Sequence, residues 1–166
     1  MPELDGLNQM SPDEAKAVLA RCCGSGRWVD RMNASRPFVS RAALFEAADR
    51  IWGQLGEADF REAFAHHPKI GAKGLREKWA SSEQNGVSAA SPMTLDGLAA
   101  GNEEYERKFG YIFLICATGK SADEMLALLR KRMNNEAQAE ILVAAAEQAK
   151  ITRIRLEKLL HENTVS

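Results

Sequence analysis

His67-Pro68-Lys69-Ile70-Gly71, followed a short way on by Glu83-Gln84, is the stretch of this chain best equipped for chemistry. A residue that precedes proline is pushed out of the α region. His67 follows a helix-like stretch, so it is expected at a helix exit, where the backbone fixes the direction of its imidazole. Imidazole titrates near neutral pH and can give or take a proton there. A carboxylate brought beside it in space could orient it or act on the same substrate. The plainer alternative is that His67 caps helix 57–66 and that Glu83 is a solvated glutamate on a weakly amphipathic helix.

Arg155 is a second candidate. It is in helical register with Ile151 and Leu159, on a stripe expected to face inward. A buried guanidinium is costly without an anionic partner, and its fork suits a carboxylate or carbonyl of a substrate. The alternative is an arginine that snorkels or pairs with a protein carboxylate. Arg153, two residues earlier, points roughly 160 degrees away at ~100 degrees per residue and is expected in solvent. The stretch from Asn102 to Tyr111 reads as a charged helix closed by Gly110, a glycine that could also let a ligand approach the backbone. Cys22 and Cys116 fall on apolar stretches and are expected in the core. Cys116 lacks a visible activating neighbour for a nucleophilic role.

The elements that must position these residues are helices. Ser11-Pro12-Asp13-Glu14 is a capping box with proline at the first helical position. Ala15, Val18, Leu19 and Cys22 continue it at helical spacing, with Gly24 as its stop. A short helix carries Trp28, Val29 and Met32. The next starts near Ser40 and ends at Gly56, and 57–66 forms another. Residues 67–74 read as a loop, 74–85 as a polar helix and 93–108 as a further helix. Tyr111 to Ala117 is a short apolar run that could be extended. Ser121-Ala122-Asp123-Glu124 is a second capping box, opening a helix to about Met133, and a last helix runs from about Glu136 to Leu160. The expected fold is an all-α, single-domain helical bundle over residues 1–166, with one short extended active-site segment.

Composition removes several functions. The 166 residues suffice for one full core, and 45% hydrophobic with 27% charged residues is ordinary for a globular protein. A net charge of -1 offers no basic field for nucleic acid. No apolar run approaches the roughly 20 residues that span a bilayer. The N-terminus lacks a signal-peptide core and the C-terminus is not a Ser-Lys-Leu address, so a cytoplasmic location is expected. Three cysteines, two of them adjacent, suggest neither a disulfide framework nor a zinc site.

In order and spacing, His67-Pro68-x-Ile70-Gly71, Glu83-Gln84, Asn102-x-x-Tyr105-x-x-x-Phe109-Gly110 and the run Ile151 to Leu156 resemble the OHCU decarboxylases. The resemblance covers about residues 10–160. It implies an all-helical fold, usually a homodimer, and cofactor-independent conversion of 2-oxo-4-hydroxy-4-carboxy-5-ureidoimidazoline to (S)-allantoin and CO2 in urate breakdown. By the same resemblance His67 and Glu83 are catalytic. Pro68, Gln84, the backbone near Ile115 and Cys116, and Arg155 bind the ureide substrate. The family's serine three residues before the glutamate is Ala80 here, and Ser81 is the nearest hydroxyl that could replace it.

The chemistry so implied needs no metal and no cofactor. The departing carboxylate sits beside an imine-like ring carbon, so the ring itself takes the electron pair. The protein must hold the carboxylate out of conjugation, stabilise an enolate-like intermediate and deliver one proton to one face. Two alternatives come from other classes: a helical protein-interaction module in which His67 and Arg155 are structural, and a lyase or hydrolase acting on a related ureide.

Overall fold

The computed structural model describes residues 2–67 and 91–162. The fold is all-α, as expected, and no strand occurs among the described residues. The helices are α1 (Pro2–Gln9), α2 (Pro12–Ala20), α3 (Gly26–Ala34), α4 (Arg41–Gly53), α5 (Glu57–Ala65), α6 (Pro92–Phe109), α7 (Ala122–Arg132) and α8 (Ala137–Glu162). They form two compact units: residues 1–66 with 145–166, and residues 67–144. The expected helix over 74–85 lies outside the described residues.

Serines open most of these helices for one reason. The first backbone N–H groups of a helix have no partner within it, and an N-cap oxygen can accept from one of them. Ser11 Oγ accepts from Glu14 N at 3.2 Å, Ser40 Oγ from Ala43 N at 3.0 Å, and Ser121 Oγ from Glu124 N at 3.1 Å. Two expected stops differ. Helix α2 ends at Ala20, short of Gly24, and α4 ends at Gly53. Gly56 instead precedes α5, and its N–H donates to the Asp59 carboxylate at 3.2 Å.

The first unit is built on α1 to α5 and the larger part of α8. Leu7, Leu19, Trp28, Phe64, Leu156 and Leu160 are fully buried in it. Side chains of this size each contribute about 1.5–3 kcal/mol on burial. Its two tryptophans bury their rings and still satisfy their N–H groups: Trp28 Nε1 donates to Ala48 O at 3.2 Å and Trp52 Nε1 to Ala145 O at 2.9 Å. Helix α1, which periodicity did not announce, is fastened to residues 36–38 farther along the chain. Arg36 Nη1 donates to Leu7 O at 2.9 Å and Met10 O at 2.8 Å, and Asn8 bonds Phe38 N and O.

In the second unit α6 packs on α7 through Leu95, Leu98, Met125, Leu126 and Leu129. Phe113, Ile115 and Ala117 lie against this cluster. They come from residues 111–117, the apolar run between the two helices, which is neither helix nor strand. Gly110 turns the chain out of α6 with a φ of 85°, and its N–H closes onto Glu106 O at 2.8 Å. This left-handed conformation suits glycine because no Cβ meets the following carbonyl.

Candidate functional site

His67 lies just past the exit of α5, in a bend, and is partly exposed. Its neighbour His66 does the capping. His66 is the C-cap residue, with its N–H on Ala63 O at 3.2 Å and its Nδ1 2.9 Å from Glu62 O. The His66 ring also lies so close over Gly24 that a Cβ there would stand 2.4 Å from its Cγ. The helix-capping duty considered for His67 is therefore discharged by His66. Pro68, Ile70, Gly71, Ala80, Ser81, Glu83 and Gln84 lie outside the described residues.

Ile115 and Cys116 are brought together on segment 111–117. Cys116 is buried, and the Ile115 side chain packs on the α6–α7 core. Residues lacking regular structure must still satisfy their carbonyls. Here two long cations do so: Arg132 Nη1 donates to Leu114 O at 2.8 Å, and Lys120 Nζ donates to Cys116 O at 2.8 Å. The Lys120 N–H also closes a turn onto Ala117 O at 3.0 Å.

Arg132 belongs to a buried ionic network that the sequence did not disclose. Its Nε and Nη2 both converge on Glu140 Oε2, at 2.8 and 2.5 Å. Tyr105 donates its hydroxyl to the same oxygen, and Asn135 Nδ2 donates to Glu140 Oε1 at 2.9 Å. Arg132 and Glu140 have side chains 7% and 0% exposed, so the pair is desolvated. The guanidinium lies 4.6 Å from the Phe113 ring centroid and 5.7 Å from that of Tyr105. Burial, and then the hydrogen bond to Glu140, push the Tyr105 hydroxyl far above its usual range. One signal was present in the sequence: Arg132 continues the apolar stripe Met125–Leu129 at spacings of four and three, where a solvated arginine has no place.

Arg155 lies in the first unit. It is partly buried, at the edge of the inward stripe, whose buried members are Thr152, Leu156 and Leu159. The stripe was expected to face inward, with snorkelling as the alternative; at this edge of the stripe the guanidinium stays within reach of solvent. Arg155 Nη1 donates to Arg21 O at 3.4 Å and lines a groove of about 180 Å³ with Val18, Arg21, Cys22, Lys158 and Leu159. Three cations on one small groove favour an anionic or carbonyl-rich occupant. Arg153 is exposed, as expected, but it is not idle: it stacks over Phe45 with its Cζ 4.3 Å from the ring centroid and pairs with Glu157 at 3.6 Å. Cys22, Cys23 and Cys116 are all buried free thiols. Burial pushes the Cys23 thiol up to about 11, against the opposing pull of a Ser25 backbone hydrogen bond, Thr152 and Arg155. That makes it a poor nucleophile. Among the described residues no three His, Cys, Asp or Glu side chains form a group that could hold a metal ion.

Comparison with known proteins gives these residues a context. The sequence profile of a family described as OHCU decarboxylase matches residues 8–157. The chain is 36% identical over 148 residues to the uric acid degradation bifunctional protein TTL of Arabidopsis thaliana, an alignment covering 85% of this chain and 46% of that protein. The chain thus spans about half the length of that relative, and a third of two bifunctional Bacillus relatives. It is 28% identical over 133 residues to the 2-oxo-4-hydroxy-4-carboxy-5-ureidoimidazoline decarboxylase of Amia calva, covering 75% of each. Among solved structures, an OHCU decarboxylase crystallised in the presence of (S)-allantoin superposes with a TM-score of 0.71 at 36% identity, over 86% of this chain and 96% of that one.

Proposed function

The chain belongs to the OHCU decarboxylase family, and we propose that it decarboxylates 2-oxo-4-hydroxy-4-carboxy-5-ureidoimidazoline to (S)-allantoin in urate degradation. The observation that carries this reading is the match of the family profile over residues 8–157, nearly the whole chain. Family membership favours an enzyme over an interaction module. We read residues 1–166 as one such domain.

The substrate's own substituents define the task. One ring carbon carries both a hydroxyl and a carboxylate, and its neighbour, the imine carbon of the ring, carries the ureido group. When the carbon–carboxylate bond breaks, its electron pair forms a double bond between the two ring carbons and displaces the imine π pair onto the ring nitrogen, which takes a proton. The ureido-bearing carbon is then protonated on one face while the hydroxyl loses its proton and becomes the ring carbonyl. Two protons enter and one leaves, which balances the departure of CO2 from a carboxylate.

In this reading His67 contacts the hydroxyl or carboxylate of the substrate and takes part in the proton transfers, as an imidazole at neutral pH can. Glu83 holds the hydroxyl and orients His67. Pro68, Gln84 and Arg155 bind the substrate, Gln84 and Arg155 at its ureide and ring oxygens. The backbone at Ile115 and Cys116 holds the ring carbonyl, where N–H donors gain strength as negative charge develops. The cationic groove around Arg155 supports its part. No metal or other cofactor enters, because the ring accepts the electrons.

The assembly proposed is a homodimer, checked by sedimentation of the purified chain at micromolar concentration. The location proposed is the cytoplasm; among the described residues no helix is long and apolar enough to cross a membrane. The deciding experiment adds the protein to freshly oxidised urate and follows optical activity. Rapid accumulation of (S)-allantoin is expected. A racemic product formed at the uncatalysed rate defeats the proposal.

A further inference from the structure

We propose that Arg132, held by Glu140 and Tyr105, is a positioning residue that sets the peptide plane between Leu114 and Ile115 and so aims the Ile115 N–H at the substrate. The inference rests on the reading of segment 111–117 as part of the site.

A trans peptide unit is planar, and its C=O and N–H point in opposite directions. Fixing one therefore fixes the other. Arg132 Nη1 grips Leu114 O at 2.8 Å, so the Ile115 N–H faces away from the guanidinium. Lys120 Nζ grips Cys116 O at 2.8 Å and turns the Ala117 N–H away in the same manner. Segment 111–117 has no helix or strand ladder to define these planes. The two cations supply what regular hydrogen bonding supplies elsewhere.

Arg132 can do this only if it is itself immobile. Its other two nitrogens, Nε and Nη2, donate to Glu140 Oε2 at 2.8 and 2.5 Å, Nη2 also reaches the Tyr105 hydroxyl at 3.4 Å, and its face lies 4.6 Å from the Phe113 ring centroid. The carboxylate is fixed in turn by the Tyr105 hydroxyl and by Asn135. Anchors thus come from α6, α7 and α8 and converge on one carbonyl. A buried ion pair is a poor device for stability, since desolvation cancels much of the attraction. It is a good device for specifying one geometry, because its hydrogen bonds are directional and leaving any of them unmade is costly.

The test separates positioning from folding. The double variant Arg132→Met/Glu140→Gln removes the donor to Leu114 O and leaves no unpaired buried carboxylate, while the amide still accepts from Tyr105. It is expected to melt within a few degrees of the wild type. Its kcat, referred to folded protein, is expected to fall at least tenfold with KM within about threefold, part of the roughly 100- to 1,000-fold that one lost backbone-type donor costs. Wild-type kcat in the folded double variant overturns the inference. Should that variant not fold, Arg132→Lys decides. It keeps the charge beside Glu140 but lacks the second arm, so a kcat at least threefold down is expected and a wild-type kcat overturns the inference. The wild-type protein is assayed alongside. Failure of the wild type itself to produce (S)-allantoin overturns the reading of the site, and this inference with it.

Discussion

His66 and His67 are adjacent imidazoles with separable duties. His66 bonds Glu62 O and packs over Gly24, so His66→Ala should lower stability by about 0.5–1.5 kcal/mol and leave turnover intact. His67→Ala should do the reverse, with turnover down about 100-fold or more and the melt unchanged. Thermal melts and steady-state rates on both variants check the assignment; exchanged outcomes would mean the wrong histidine was chosen. A similar contrast holds between Arg155 and Arg153. Arg155→Lys loses the fork and should raise KM by an amount equivalent to roughly 1.5–3 kcal/mol. Arg153→Lys should leave KM alone and cost about 0.5–1 kcal/mol of stability through its stacking on Phe45. If Arg155→Lys melts much lower yet binds normally, the arginine is structural and its place in the site is wrong. Cys23 adds a pH dependence. Burial raises its thiol to about 11, so the folded state keeps a proton that the unfolded chain gives up from about pH 9. Stability should therefore decline from about pH 9 to 11, by about 2–3 kcal/mol from this group. Urea midpoints across that range should fall less steeply for Cys23→Ala; an identical slope would show that the thiol does not contribute.

At the scale of elements, Gly110 makes the sharpest prediction. Its φ of 85° starts segment 111–117, so Gly110→Ala should cost about 1–2 kcal/mol by chemical denaturation and lower kcat as well, because the segment begins there. An unchanged denaturation midpoint would mean the turn relaxes freely. The helix starts at Ser11, Ser40 and Ser121 were legible because a cap is a local hydrogen bond written in neighbouring residues. Helix ends were less so: Gly24 and Gly56 read as stops, while the chain left its helices at Ala20 and Gly53. Helix α1 escaped notice because eight residues make a marginal helix on their own, and what stabilises it comes from Arg36 and from the Phe38 backbone that Asn8 bonds. Of the candidate site, His67, Arg155 and the 111–117 run stood out by residue type and spacing. Arg132 showed only by continuing the apolar stripe of α7, and Glu140 did not stand out; only folding brings α7 and α8 together to pair them.

At the scale of the whole molecule, the chemistry proposed draws its electron sink from the substrate, so activity should survive exhaustive dialysis against a chelator. Activity that is lost and then restored by zinc or manganese would sink that mechanism. The two compact units also differ in chromophores. Both tyrosines of the chain, Tyr105 and Tyr111, belong to residues 67–144, and Trp28 and Trp52 to the other unit. The proton on Tyr105 is trapped by burial and by Glu140. In alkali, then, the folded protein should develop the ultraviolet absorbance of at most one phenolate, and the second should appear only when the network around Glu140 opens. Read together with tryptophan emission in a Trp79→Phe background, a single alkaline titration becomes an optical gauge of whether the two units each unfold at the same pH or in succession.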